Sequence, residues 1–87
     1  MRFLVQHQVN DSVDVDYASS LSLGGLFIST TKPIAAKATL HVQFAPRRDA
    51  QLVSAFCRVK EVRPDGISAE FVSLDAEAEQ LISAALA

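Results

Sequence analysis

One cysteine, one methionine, no tryptophan, three glycines and three prolines are all that this 87-residue chain holds of those types. Each scarcity excludes something. Cys57 has no second cysteine with which to close an intramolecular disulfide, and no Cys/His set has the spacing that a zinc site needs, so no structural metal is expected. Basic residues are not in excess: 8 Lys and Arg stand against 10 Asp and Glu, a formal net charge of −2. Such a chain has no positive field to gather phosphates, which argues against generic nucleic-acid binding. No apolar run reaches the roughly 18 residues of a membrane span. After Phe3-Leu4-Val5 the chain turns polar at Gln6-His7-Gln8, too soon for a signal-peptide core. The expectation is a cytoplasmic protein without membrane insertion. No internal repeat or low-complexity segment is visible.

What is present is an apolar content of 49% with 21% charged residues, the balance of a folding chain. The length allows a single domain over residues 1–87. Its periodicity is mostly two. Phe3, Val5, His7 and Val9 alternate with Leu4, Gln6 and Gln8, which predicts a half-buried strand, and Asn10-Asp11-Ser12 is the turn of a hairpin. Val13, Val15, Tyr17, Ser19 and Leu21 then oppose Asp14, Asp16, Ala18, Ser20 and Ser22, with one face wet. Gly24-Gly25 supplies a positive φ or a close backbone approach. Leu26–Thr30 is a third strand, broken at Lys32-Pro33. Leu40, Val42 and Phe44 mark a fourth strand, which ends at Pro46 and the polar turn Arg47-Arg48-Asp49.

Residues 51–63 predict a long fifth strand with Val53, Ala55, Cys57 and Val59 on one side. Val62 falls on the wrong parity, which calls for a bulge near Lys60-Glu61. Pro64-Asp65-Gly66 is a tight turn, and Ile67–Phe71 is the sixth strand. From Leu74 the period becomes 3.6: Leu74, Ala78, Leu81, Ile82 and Ala85 share one helical stripe, with Asp75, Glu77 and Glu79 near its positive end. The fold class is therefore all-β with one C-terminal helix: a six-stranded antiparallel β-barrel whose edges are closed and whose short α-helix caps one end.

The chain offers little chemistry. Ser20-Leu21-Ser22-Leu23-Gly24-Gly25 lacks both the order and the following helix of a nucleophile elbow. It also lacks the Gly-Lys-Ser/Thr run of a phosphate loop. His7 and His41 are read as surface or rim residues, Cys57 as a small core hydrophobe, and Asp14 and Asp16 as a solvated edge. The five phenylalanines are read largely as core, with Phe56 ambiguous. No catalytic residues are assigned and no enzyme is expected.

The stretch from Tyr17 to Pro33, YASSLSLGGLFISTTKP, together with Leu40–Phe44, Val59–Val62 and Gly66–Phe71, resembles the PilZ domain family. The likeness covers nearly the whole chain. It is strongest to a PilZ-like branch with degenerate cyclic di-GMP motifs, found in bacteria with social or gliding motility. The resemblance implies a six-stranded barrel that binds cyclic di-GMP through an Arg-x-x-x-Arg segment before the first strand and an Asp/Asn-x-Ser-x-x-Gly segment on the barrel. Here the second motif falls on Ser20, Ser22 and Gly25, with serine in place of the Asp/Asn. The first retains Arg2 alone, with Gln6 four residues on. Lys37 stands where relatives commonly use glycine in a turn.

Losing one guanidinium removes a charge-assisted hydrogen bond and costs roughly 10–100-fold in affinity. The resemblance, so altered, implies a non-enzymatic regulatory or adaptor protein with no cofactor. It would act by contact with another protein of a motility, cell-polarity or type IV pilus-related pathway. The alternative is a cyclic di-GMP receptor in which Arg2, Ser20, Ser22 and Gly25 bind the nucleotide and Arg47, Arg48, Arg58 or Arg63 completes the clamp.

Overall fold

A computed structural model describes residues 2–47 and 51–86. It contains six strands and one helix: β1 (Arg2–Val9), β2 (Ser12–Ser19), β3 (Gly25–Ser29), β4 (Thr39–Phe44), β5 (Val53–Arg63), β6 (Gly66–Ser73) and α1 (Ala76–Leu86). Every neighbouring pair is antiparallel, and the strands close into a barrel in the order β1-β2-β3-β6-β5-β4. The expected fold is the observed one. The turn expected at Arg47-Arg48-Asp49 lies partly outside the described residues.

Local chemistry sets the two tightest connections. Val9 pairs with Ser12 across Asn10-Asp11, and Asn10 takes φ 53°, a left-handed value that asparagine tolerates better than most residues. Arg63 pairs with Gly66 across Pro64-Asp65. A Cβ on Gly66 would overlap the Ile28 carbonyl and come within 2.8 Å of Phe27 Cζ. Lys37 adopts φ 68°, a left-handed conformation uncommon for a residue with a side chain. Its backbone N–H donates to Val59 O at 2.9 Å, and Val59 N–H donates to Ala38 O at 2.9 Å.

The fifth strand shows its expected irregularity, a register shift between Val59 and Glu61, and a second shift between Phe56 and Cys57 that the sequence did not signal. β5 pairs with β4 on one side and β6 on the other; bulges add the local twist that lets so long a strand follow the barrel wall.

Three expectations are corrected. On β2 the faces are reversed: Val13, Val15 and Tyr17 are exposed, while Ala18 is buried and Asp14 and Asp16 are half-buried. The cause is register. Val5 lies opposite Asp16 and His7 opposite Asp14, and directly opposed residues share a face, so the strand that puts Val5 inside brings the carboxylates with it. Of the surface or rim placement expected for His7, the surface half is corrected: it lines the barrel's mouth but is 2% exposed, with Nε2 donating to Asp16 Oδ2 at 2.8 Å. Among the phenylalanines, Phe44 is core, and Phe3 and Phe71 pack against it with ring centroids at 5.3 and 6.3 Å. Phe56, however, is 56% exposed, 5.0 Å from the His41 ring. Phe27, on the outward parity between buried Leu26 and Ile28, stands outside the core with the Arg63 guanidinium 5.9 Å away.

The registers also define the barrel's two ends. Arg2, Ser19, Phe44, Val53 and Ser73 lie toward one end, where α1 follows β6 and buries Ala78 and Ile82 in the core cluster. Asp75 caps that helix: its Oδ1 accepts from Ala78 N–H at 2.7 Å. Toward the other end lie the Asn10-Asp11 turn, the start of β4 and the Pro64-Asp65 turn.

Gly25 is not a turn residue with positive φ. It is the first residue of β3, opposite Glu70, and a Cβ there would overlap the Ala69 carbonyl oxygen. Gly25→Val is expected to cost about 2–4 kcal/mol by forcing β3 off β6, read as a fall in Tm of about 10 °C or more; an unchanged melt would refute the close approach. Burial pushes the Cys57 thiol up to about 12. The stability from holding it neutral is therefore complete below pH 9, near its ordinary value, and is lost as pH rises through about 12. Native protein at pH 8 should resist thiol labelling, and Cys57→Ala should lessen the alkaline loss of stability in equilibrium unfolding.

Candidate functional site

The chain between β2 and β3 turns sharply. Ser20 takes φ 54°, Leu21 drops into the core, and Ser22 N–H donates to Gly25 O at 2.9 Å. The Ser22 hydroxyl holds the same turn: its Oγ accepts from Gly24 N–H at 3.1 Å and from Gly25 N–H at 3.3 Å, and it lies 3.4 Å from Gly25 O. Phe71 N–H donates to Gly24 O at 2.8 Å, which stitches the turn to β6. The backbone thus uses Ser22 as a local cap and Gly25 as a point of close strand approach. The sequence motif and the fold's own needs coincide on these residues.

Beside this turn is a cavity of about 290 Å³. The structure brings Ser20, Ser22 and Gly25 together along its wall and adds Lys60 and Glu70, which the sequence reading did not assign to the site. Both arrive through the β3-β6-β5 register. Lys60 is the only cationic residue lining it among the described residues, and the Glu70 carboxylate partly offsets its charge. Ser68 adds a further hydroxyl. The cavity therefore presents hydroxyls and one ammonium against one carboxylate.

The arginines lie elsewhere. Arg2 opposes Ser19 on β1, with its guanidinium 4.1 Å from the centre of the half-exposed Tyr17 ring, a cation–π contact. Gln6 is exposed on β1, opposite Val15. Arg47 reaches Ala84 O at 3.4 Å on the last turn of α1. Arg58 stands across from Glu70. Arg63 Nε donates to Glu61 Oε1 at 2.9 Å, which lowers the Glu61 carboxyl and raises the Arg63 guanidinium from their ordinary values. Arg48, considered above for the clamp, lies outside the described residues.

Among the described residues no group of three or more His, Cys, Asp or Glu side chains is placed to hold a metal ion, and no helix is long and apolar enough to cross a membrane. The pair that sequence reasoning missed is His7–Asp16. Its signal was available: a two-residue turn at Asn10-Asp11 fixes His7 opposite Asp14 and next to Asp16 on the same face.

No curated protein matches the chain. The family model of the PilZ domain matches residues 2–87, a span that takes in all six strands, the Ser20–Gly25 turn and the terminal helix; the chain belongs to the PilZ domain family.

Proposed function

We propose that this protein is a non-enzymatic adaptor that works without holding cyclic di-GMP and acts by contact with another protein in bacterial motility, cell polarity or type IV pilus-related signalling. Family membership carries the coarser statement, a regulatory or adaptor role related to cyclic di-GMP. The finer reading rests on one observation: the cavity beside Ser22 and Gly25 is lined, among the described residues, by a single cation, Lys60, with Glu70 next to it.

Cyclic di-GMP is a dianion with two flat purines. Guanidinium forks grip phosphate with paired hydrogen bonds and stack on base faces, whereas an ammonium is a point charge on a flexible stem. Arg2, the one arginine retained from the family's clamp motif, stands over Tyr17 instead. An exposed apolar row supports protein contact. Leu4 pairs with Tyr17 on the outer face of β1 and β2, next to Val15 and Val13, and all four are about half exposed. Apolar side chains in such a contiguous row favour association when a partner covers them.

Calorimetric titration with cyclic di-GMP tests the reading. No saturable heat is expected at micromolar ligand, and a dissociation constant tighter than about 10 μM, or −7 kcal/mol, would overturn it. A gain-of-binding variant tests its cause. Gln6→Arg with Ser20→Asp restores both motif residues, and aspartate tolerates the left-handed backbone at position 20. The pair should tighten binding by roughly 10–100-fold. A folded double variant with no gain would show that something other than these side chains keeps the nucleotide out.

A further inference from the structure

A second cavity lies at the barrel end away from α1. It measures about 500 Å³ and is bounded by His7 and Asp14 from the β1–β2 hairpin and by Lys32, Pro33 and Ile34 from the loop that follows β3. Strand pairing explains the opening. β3 pairs with β2 only over Tyr17–Ser19, so the Ser12–Asp16 half of β2 extends beyond β3. The loop after β3 returns over it, with Lys32 Nζ 3.5 Å from Asp14 Oδ1.

His7 gives this cavity its chemistry. The side chain is 2% exposed, and its Nε2 is bonded to Asp16 Oδ2. An ionised carboxylate only accepts, so Nε2 carries the proton, and in the neutral ring Nδ1 is an acceptor. Nδ1 has no hydrogen bond among the described residues, and no side-chain nitrogen or oxygen sealed from solvent there lacks a partner; Nδ1 is therefore not sealed off, and His7 lines this cavity. Asp14, directly across from His7, supplies a second acceptor with a negative charge. Against these stands, among the described residues lining the cavity, the Lys32 ammonium alone, whose side chain is 59% exposed, a solvated ion pair of little strength. The remaining wall is mixed, with Val9, Pro33 and Ile34 as its apolar part and Asn10 and Ser12 as its polar part.

We infer that this mouth is a ligand site separate from the Ser20–Gly25 cavity, and that it takes a small organic monocation, a primary ammonium on a compact apolar body. The ammonium donates to His7 Nδ1 and to the Asp14 carboxylate, displacing Lys32 into solvent, while the body covers Val9, Pro33 and Ile34. The volume suits a molecule of drug-fragment size. The inference is independent of whether cyclic di-GMP binds elsewhere.

The test is an NMR titration of backbone amides with phenethylammonium chloride, alongside 2-phenylethanol as the neutral isostere and 3-phenylpropanoate as the anion. Saturable shifts at His7, Asp14 and Ile34 are expected for the ammonium, with the alcohol weaker by about tenfold or more. Asp14→Asn should weaken the ammonium about tenfold, and Lys32→Met, which removes the resident competitor, should tighten it about threefold. Opposite signs from two half-exposed or exposed residues do not arise from a loss of folding. The inference is overturned by equal binding of the alcohol or the carboxylate, by shifts centred on Ser20–Gly25, by unchanged affinity in Asp14→Asn, or by no saturable shift up to about 20 mM ammonium.

Discussion

The register of the β1–β2 hairpin is the constraint on which the rest of the molecule depends. Asn10 and Asp11 close the connection in two residues, and a register so fixed cannot slip by one without turning every side chain to the other face. Because Val5 must face the core, Asp16 faces inward as well, and because His7 follows Val5 on the same parity, Asp14 does too. Two carboxylates are thereby carried to the inner side of a small barrel. An inward carboxylate without a partner is costly; within the hairpin His7 Nε2 donates to Asp16, and Lys32, from the loop after β3, pairs with Asp14. The same register turns Val13, Val15 and Tyr17 outward. The polar interior of the mouth and the apolar exterior of the hairpin are thus two consequences of one turn.

A second constraint acts across the barrel. β3 is held against β6 so closely at Gly25 and Gly66 that neither position has room for a Cβ, since backbone carbonyls of the facing strand fill the space. This closeness fixes the Ser20–Gly25 turn against β6 through Gly24 O and Phe71 N–H. Lys60 and Glu70 line the cavity beside the same turn. The residues that mark the family's nucleotide motif have structural work of their own here: Ser22 caps the turn and Gly25 permits the approach. These structural roles hold whether or not a nucleotide is bound.

How much of this was legible depends on where each residue's partner lies. β4 and β5 read cleanly because their two faces differ in polarity, with Leu40, Val42 and Phe44 or Val53, Ala55, Cys57 and Val59 against polar neighbours. Val62, apolar on the outward parity, disclosed the bulge. β2 alternates just as regularly, but a period of two says only that two faces exist, and valine against aspartate suggested the wrong one. The deciding fact was its pairing with β1. Gly25 read as an interruption, but the reason for it is the carbonyl of Ala69, far along the chain. Within the candidate site, Ser20, Ser22 and Gly25 were visible because they are local in sequence. Lys60 and Glu70 were not, because a bulged β5–β6 ladder brings them there.

The two ends of the barrel differ for a reason that also divides its possible functions. Toward one end α1 lays Ala78 and Ile82 on the core, and Phe3, Phe44 and Phe71 fill the space beneath in a run of ring contacts. At the other no helix lies among the described residues, and the lining becomes ionisable at His7 and Asp14. A barrel end of this size can be closed by apolar volume or left open and lined with paired polar groups; an open, purely apolar mouth would expose the core to water. The helix uses the first solution and the hairpin the second. The Ser20–Gly25 turn sits outside the wall toward the helix-closed end, whereas the ionisable mouth lies under a loop anchored by backbone bonds at Lys37 and Ala38 and a solvated ion pair at Lys32. The two candidate sites thus stand on different structural solutions, one on a backbone turn stitched to β6 and the other on side chains paired at an open rim.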